Sequence, residues 1–245
     1  MPLRPLTATA GHDLDRNRPV GMFLCMRSSP EATADLRPVR TRLLDAGVTI
    51  VRRRGYAATT IDELCRAAGV TKGGFFHHFA SKDAYGVALA DHWSETTGRL
   101  FAAAPYHRGD DPLERIFAYL DLRAALIDGP IDAFTCVVGT LAQEIHLESP
   151  TIRDACGRSI FGHASTLEAD FAAALAARGL VAPTARSLAL HTQAVIQGGF
   201  VLAKAAGDAE AAREAVAHLR RYVALLFERE TTVHEGGGSD VQQAR

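Results

Sequence analysis

The sequence contains little of what marks secreted, membrane-spanning or β-rich proteins. It has only four cysteines in 245 residues, with no close pair and no metal-ligand spacing, which is typical of reduced thiols rather than of a disulfide framework. No uninterrupted apolar run reaches about 18 residues, so no membrane span is predicted. Runs of β-branched residues are short and alanine is abundant, which favours helices. We therefore expect an all-α, cytoplasmic protein that has no membrane partner and uses no cofactor or metal.

Motifs that would indicate catalysis are also missing. The chain has no phosphate-binding glycine loop and no nucleophile elbow. Glu144, His146 and Glu148 stand close together, but residues two apart on a helix point to different faces. No acid–base or metal site is therefore expected from them. A helical enzyme or a simple binding module stays an alternative.

Residues 59–82, TTIDELCRAAGVTKGGFFHHFASK, predict two short helices joined by a sharp turn. Thr60 is the expected N-cap of a helix over Ile61–Ala68, whose first turn carries two acidic residues that complement the helix dipole. Gly69 follows the last helical residue, where a left-handed backbone is inexpensive for glycine. The pattern is that of a helix-turn-helix.

The second helix of this pair is predicted over Lys72–Phe79, with Thr71 as its N-cap. Its outward face has no acidic side chain and consists of Lys72, Gly73, Gly74, Phe76, His77 and His78. Glycine inside a helix costs roughly 0.5–1 kcal/mol relative to alanine, so the glycine pair suggests close approach of another molecule to the backbone. A frayed helix start is the alternative.

The segment from Arg40 to Trp93 resembles the DNA-binding domain of the TetR/AcrR family of bacterial transcriptional regulators. The shared features are an apolar first helix, a Gly-Tyr turn, Thr-Thr, an Ala-Gly-Val turn, and an aromatic-His-Phe ending before Ser-Lys. Two residues depart from the family pattern. Cys65 stands where alanine is usual, and Phe76 stands where a tyrosine most often reaches a backbone phosphate, so that contact is not expected here.

The resemblance implies which residues meet double-stranded DNA. Lys72 and Gly74 would lie nearest the base edges, while the flanking histidines and capping residues would approach phosphates, which position a protein without specifying a sequence. The expected DNA-binding residues are Thr60, Thr71, Lys72, Gly73, Gly74, Phe76, His77, His78 and Lys82.

Charge is concentrated at the same end of the chain. Residues 40–82 hold eight basic and three acidic residues, a net charge of +5, whereas the whole chain carries −1. A basic end on an acidic remainder is the pattern of a protein that meets DNA with one end. Alternatively, the run Arg52, Arg53 and Arg54 simply solvates a helix end, where cations also complement the dipole.

We divide the chain into four predicted parts. Residues 1–37 lack helical periodicity and hold four prolines, so they predict a disordered arm, with Met22 and Met26 as alternative starts to Met1. The head, residues 38–93, is the three-helix DNA-binding domain. The body, residues 94–230, is a helical effector-binding and dimerisation domain, and residues 231–245 are a flexible tail. Periodicity and breakers predict helices over Lys82–Ala103, Pro112–Asp128, Ala133–Leu147, Pro150–Arg178, Pro183–Ala206 and Asp208–Arg229.

The body resembles the family's C-terminal domain less closely. Its segment CVVGTLAQE, residues 136–144, is similar to a Gly-Cys-Leu-x-Gly-x-Leu-x-x-Glu segment common in one branch of the family. Apolar stripes on the last two helices predict a homodimer through a four-helix interface, which would present two heads to a pseudo-palindromic operator. The expected interface residues are Leu188, Val195, Gly198, Gly199, Leu202, Val216, Leu219, Val223 and Leu226. The alternative is that the stripes complete the core of the monomer.

The family resemblance implies that a small-molecule effector binds between the middle helices and releases a repressor from its operator. The candidate pocket residues are polar or aromatic side chains on otherwise apolar helices, since few polar groups in an apolar cavity typify such sites. They are Phe117, Phe134, Cys136, Gln143, His146, Phe161, His191, Gln197 and Phe200. An alternative regulator senses oxidants or electrophiles through Cys136, because a helix start favours the thiolate.

Overall fold

The computed structural model describes residues 37–229, and every regular element in that range is helical. A 3-10 turn at Pro105–Arg108 separates α4 from α5. The helices are α1 Val39–Arg54, α2 Ile61–Ala68, α3 Lys72–His78, α4 Lys82–Ala102, α5 Pro112–Ala125, α6 Ile131–Phe134, α7 Val137–Ile145, α8 Pro150–Ser165, α9 Glu168–Ala177, α10 Ala185–Ala206 and α11 Glu210–Arg229. The all-α prediction is confirmed. The predicted arm, apart from Arg37, and the predicted tail lie outside the described residues.

Local interactions set the helix ends of the head as the sequence predicts. The Thr60 hydroxyl accepts the N–H of Glu63 at 3.2 Å, and the Glu63 carboxylate accepts the N–H of Thr60 at 3.0 Å, forming a capping box. That second bond is the main cause of the lowered pKa of Glu63. Gly69 is left-handed at φ 62°, and Thr71 caps α3 by accepting the N–H of Gly74 at 3.2 Å.

Two long helices predicted for the body are each broken in the structure. The helix predicted over Ala133–Leu147 is interrupted because Thr135 and Cys136 have extended backbones, and Cys136 becomes the N-cap of α7. The helix predicted over Pro150–Arg178 ends after Ser165. There the hydroxyls of Ser165 and Thr166 bond to carbonyls three residues back, at 2.8 and 2.7 Å, and such bonds compete with the helix.

Several predicted ends shift by a few residues for similar local reasons. The helix predicted from Pro183 begins at Ala185, because Thr184 accepts the N–H of Ser187 and caps it. The helix predicted from Asp208 begins at Glu210, whose N–H bonds to the Asp208 carboxylate at 2.9 Å. The predicted ends at Phe79, Ala103 and Asp128 move inward to His78, Ala102 and Ala125.

The head packs around the point where α1 crosses α4. A Cβ on Gly47 would lie 1.8 Å from the Tyr85 hydroxyl oxygen, so the two helices meet where a side chain is missing. That hydroxyl donates to the Leu43 carbonyl at 2.8 Å. The rings of Phe75 and Phe79 lie 5.4 and 5.0 Å from the Tyr85 ring, which anchors α3 and the chain after it to α4.

The core of the head continues into the body. Buried Val137 and Leu141 of α7 and Ile152 of α8 belong to the same apolar cluster as the head residues. A Cβ on Gly86 of α4 would lie 2.5 Å from Ile152 Cδ1, so α4 contacts α8 closely. Since α4 runs without interruption through the predicted boundary at residues 93 and 94, the packing of the body fixes one helix of the head.

A second core joins α5, α9, α10 and α11 and contains a short polar network. The Tyr119 hydroxyl lies 2.9 Å from His163 Nε2 and accepts the Gln193 amide at 3.4 Å. Burial, with a smaller contribution from the Arg123 guanidinium, lowers the pKa of His163 to about 4. His163 is therefore neutral near pH 7 and is satisfied within the core.

Candidate nucleic-acid interface and ligand cavity

The short helix α3 presents most of its predicted contact residues to solvent. Its inner anchor is Phe75, which is fully buried, while the neighbouring Phe76 is 47% exposed. The remaining predicted contacts on this helix and at its cap are exposed, except for the intermediate Gly74, and they are Thr71, Lys72, Gly73, His77 and His78. One buried ring therefore holds a helix whose other residues are available to a partner.

The two glycines of α3 have different structural roles. A Cβ on Gly74 would lie 2.7 Å from Val70 Cγ1, so Gly74 is needed for packing against the preceding turn. A Cβ on Gly73 would meet nothing nearer than the Thr71 hydroxyl, at 3.9 Å. The packing of this chain therefore explains Gly74 but leaves Gly73 unexplained.

Lys72, the long donor at the start of α3, has an acidic neighbour that the sequence analysis did not place. Its ammonium lies 3.2 Å from an oxygen of Asp62 on α2, and both side chains are more than half exposed. Exposed ion pairs of this kind contribute about 0–1 kcal/mol. A phosphate or a base edge can therefore take Asp62's place at little cost.

Thr60 and Lys82 are both engaged inside the head. The Thr60 hydroxyl takes part in the capping box with Glu63. Lys82 donates to the carbonyls of Tyr56 and Ala57 at 3.0 and 3.3 Å, and its ammonium lies 4.7 Å from the centre of the Tyr56 ring. The Tyr56 hydroxyl in turn donates to the Lys82 carbonyl. Lys82 thus holds the loop after α1 rather than extending into solvent.

The other side of this loop is held from the body. One carboxylate oxygen of Glu144, on α7, accepts the N–H groups of Tyr56 and Ala57 at 2.7 and 3.0 Å. Gly55 has φ 87°, and a Cβ there would lie 2.1 Å from the other Glu144 oxygen. The segment Gly55–Ala57, which we name the clamped loop, therefore lies between Lys82 of the head and Glu144 of the body.

The three arginines that end α1 all bond to other parts of the chain. Arg52 donates to the carbonyls of Ala133 and Thr135 at 2.8 and 3.4 Å. Arg53 pairs with Asp132 at 2.9 Å, and Arg54 pairs with Glu63. All three contacts fix α1 to its neighbours, and the two ion pairs also offset part of the positive charge that the head presents to a partner.

A cavity of about 220 Å³ lies between α7 and α10 and contains four of the predicted pocket residues. Cys136 and Gln143 come from α7 and its N-cap, and Gln197 and Phe200 come from α10. The other lining residues are Thr135, Gly139, Thr140, Glu144, Val201 and Lys204. These six were not among the predicted pocket residues, although Thr140 and Glu144 follow Cys136 at intervals of four residues and so share one helix face.

The five other predicted pocket residues lie elsewhere. Phe134 packs behind the cavity, with its ring 5.9 Å from that of Phe200. Phe117 lies under the Arg220 guanidinium, and the His191 ring lies 5.2 Å from that of Tyr222. His146 and Phe161 are exposed. Their helices carry them to the surface or into the second core, so the cavity does not include them.

Cys136 differs from the other cysteines that the structure describes. Cys65 and Cys156 are buried, and burial raises the pKa of Cys156 to about 12. Cys136 is partly exposed, lines the cavity and caps α7, with its sulfur 3.5 Å from the N–H of Gly139. Arg52 and Lys204 both interact electrostatically with it. Cys25 lies outside the described residues.

The stripes predicted as a dimer surface lie largely within the protomer. Five of the nine residues are buried between α10, α11 and their neighbours, and they are Leu188, Gly199, Val216, Leu219 and Val223. Gly199 allows this packing, because a Cβ there would lie 3.2 Å from the backbone of Ala212. These five complete the core of the monomer, which corrects their assignment to an external surface. Leu202 and Gly198 are exposed, and Val195 and Leu226 are partly so.

The part of the chain that the structure describes shows neither a metal-binding cluster nor a membrane-spanning helix. No group of three or more histidine, cysteine, aspartate or glutamate side chains between residues 37 and 229 could hold a metal ion. In the same range, no helix has both the length and the apolar character needed to cross a membrane.

Two family models match separate parts of the chain. Residues 43–84 match the model described as bacterial regulatory proteins, tetR family. Residues 112–218 match the C-terminal domain of LmrA/YxaF-like transcriptional regulators. The first match covers the exposed face of α3, and the second contains the cavity.

Individual proteins give the same picture. The chain is 28% identical over 116 residues to the HTH-type transcriptional repressor DhaR of Mycobacterium sp. (strain GP1), an alignment covering 47% of this chain and 57% of DhaR. It is 26% identical over 164 residues to the regulator LmrA of Bacillus subtilis, covering 66% and 85%. The chain spans little more than half the length of the first curated relatives. The structure of reduced Escherichia coli NemR is 25% identical, with a TM-score of 0.62 and coverage of 75% and 96%.

The different surroundings of Gly73 and Gly74 predict opposite effects of alanine on stability. Gly73→Ala should raise the unfolding temperature by roughly 2–3 °C, because alanine favours a helix by about 0.5–1 kcal/mol and nothing obstructs its methyl group. Gly74→Ala should lower it, because the β-branched Val70 is too stiff to move aside freely. Thermal unfolding followed by circular dichroism would compare the two variants. Shifts of the same sign would contradict the packing argument.

Proposed function

This chain belongs to the TetR family of bacterial transcriptional regulators, and from that premise we propose that it is a repressor that a small-molecule effector releases from a pseudo-palindromic DNA operator. The observation that carries the proposal is the exposed face of α3, a helix held to the head by a buried phenylalanine. The names of the relatives DhaR and NemR, which are both called repressors, support repression over activation.

The residues proposed to contact DNA differ in the part of the DNA that each would meet. Lys72 is the residue with the reach and the donors to bond guanine O6 and N7. Gly73, which no packing explains, would let the backbone approach the groove closely. Thr71, Phe76, His77 and His78 would meet sugar and phosphate. Thr60 and Lys82 would act indirectly, by holding α2 and the clamped loop in place. The backbone that they position, rather than their own side chains, would then approach the phosphates.

Lys72→Ala should weaken binding to the DNA upstream of the chain's own gene by about 10- to 100-fold at constant salt, because a bidentate base contact and a charge are lost. The matched control is Arg186→Ala, which removes a positive charge from an exposed position on α10. Fluorescence anisotropy with operator and scrambled duplexes would measure both. An equal loss in the two variants, or wild-type binding that ignores sequence, would contradict the proposal.

We propose a homodimer whose surface is the exposed side of α10 and α11. Three large apolar side chains stand there, with exposed fractions of 41–55%. They are Leu202, Tyr222 and Leu225. Exposed apolar side chains grouped on one pair of helices are typical of an interface, and a two-fold axis would bring a second pair against them. Of the residues predicted from sequence, Leu202 and Gly198 belong to this exposed side.

Leu202→Asp should weaken dimerisation by at least about 10-fold, because a carboxylate would be buried without a partner at the interface. Leu147→Asp is the control, since Leu147 is 80% exposed in the turn that follows α7 and belongs to neither α10 nor α11. Sedimentation equilibrium over a concentration series would report both. A dimer that survives Leu202→Asp unchanged would place the interface elsewhere.

A second candidate is an electrophile sensor that uses Cys136. The observation that favours it is that Cys136 alone among the described cysteines lines the cavity, at a helix N-cap and near two cations. Cysteines react with electrophiles as their thiolates. The thiolate would add to an activated carbon–carbon double bond, forming a C–S bond while the neighbouring carbon takes a proton from water.

Under this second candidate, N-ethylmaleimide should release wild-type protein from DNA, while Cys136→Ser should bind DNA normally and resist release. Cys156→Ser is the control and should respond as the wild type does, because Cys156 is buried. Anisotropy before and after treatment, with mass spectrometry to locate the adduct, measures both. Release of Cys136→Ser by the reagent would exclude this candidate.

A further inference from the structure

Glu144 belongs to two sites at once. Its side chain lines the cavity between α7 and α10, and one of its oxygens accepts both N–H groups of the clamped loop, at 2.7 and 3.0 Å. The loop leads within three residues to Thr60, the cap of α2. A change in the position of the carboxylate therefore affects both the cavity and the chain just before the helix-turn-helix.

Lys204 gives the cavity a cation that has capacity for a further partner. Its ammonium donates to the Thr140 hydroxyl at 2.8 Å, and an ammonium group has three N–H donors. No ion pair joins it to a carboxylate within residues 37–229. Partial burial lowers the pKa of Lys204, which Glu144 opposes. An anion in the cavity would give this lysine a direct ion pair in addition to the longer-range attraction of Glu144.

The rest of the wall favours a short polar molecule. Gln143 and Gln197 bring amide groups, Thr140 a hydroxyl, and Phe200 and Val201 an apolar side. The volume of about 220 Å³ is below the range of about 300–1,000 Å³ usual for drug-sized ligands. A molecule of a few carbon atoms with one anionic group matches this combination.

We propose that the cavity binds a short organic carboxylate against Lys204, and that Glu144 transmits its arrival to the head. The proposal rests on the proposed function, because it names the chemical class of the effector and the residue that couples its site to DNA binding. It assigns Glu144 a positioning role and Lys204 the recognition of charge.

The coupling follows from like charges on one helix face. Thr140 and Glu144 are four residues apart on α7, one turn of about 5.4 Å. An anion bound at Lys204 beside Thr140 therefore lies near the Glu144 carboxylate, and the two repel each other in this partly buried region. Glu144 then releases the N–H groups of Tyr56 and Ala57, and the clamped loop loses its support from the body. Allosteric coupling of this kind is typically about 5- to 150-fold.

Thermal unfolding tests the anion site without DNA. Sodium propionate should stabilise the wild-type protein, while propionamide and sodium chloride at the same concentration should not. Lys204→Gln should weaken the apparent affinity for propionate by about 10-fold or more, and Lys204→Arg should retain most of it. Equal effects of propionate and propionamide, or a full response in Lys204→Gln, would overturn the anion site.

Operator release tests the coupling with two Glu144 variants. Glu144→Gln keeps one oxygen that can accept both N–H groups but removes the charge, so it should bind DNA and propionate yet show little release by propionate. Glu144→Ala leaves the loop unsupported and should bind DNA about 5-fold or more weakly even without propionate. A Glu144→Gln protein released by propionate as readily as the wild type would overturn the coupling role. If the wild type binds no DNA, the proposed function fails, and the propionate response of the Lys204 variants alone decides for or against the carboxylate site.

Discussion

The clamped loop is the contact on which the arrangement of this molecule depends. Its N–H groups are held by Glu144 from the body and its carbonyls by Lys82 from the head. Gly55 is required at its start, because a side chain there would occupy the position of the Glu144 carboxylate. Without the loop in this conformation, the chain that leads into α2 would lose its hydrogen bonds to α7 and α4. A carboxylate that lies outside the head therefore helps to fix the chain just before the helix-turn-helix.

The head could be predicted from sequence to within a residue at most helix ends. Its boundaries depend on interactions between near neighbours, such as the Thr60 cap, the left-handed Gly69 and the Thr71 cap. Rules about local backbone and side-chain chemistry act at that range. The outward face of α3 could be predicted for the same reason, since one buried ring at Phe75 fixes which residues point away.

The residues that connect the two domains could not be predicted in this way. Glu144 and Tyr56 are 88 positions apart, and Lys82 was assigned to phosphate because nothing local shows that it turns back to Tyr56. The prediction of interface residues from the apolar stripes on α10 and α11 failed for a different reason. Their periodicity correctly indicates an apolar face, but an apolar face looks the same in sequence whether the chain's own core or a second copy covers it. The two breaks in the body depend on hydroxyl and thiol groups that bond to backbone three residues away, in competition with the helix, and the periodicity of apolar residues does not report that competition.

The attachment of α1 to the body has a consequence for acid conditions. Arg53 and Arg54 pair with carboxylates, and such pairs disappear when the acids are protonated. Arg52 instead donates to the carbonyl oxygens of Ala133 and Thr135, which do not ionise, and a guanidinium keeps its proton in proteins. This link persists through acidification that removes the neighbouring ion pairs, so the end of α1 stays bonded to the end of α6 when the surface charge around it has changed.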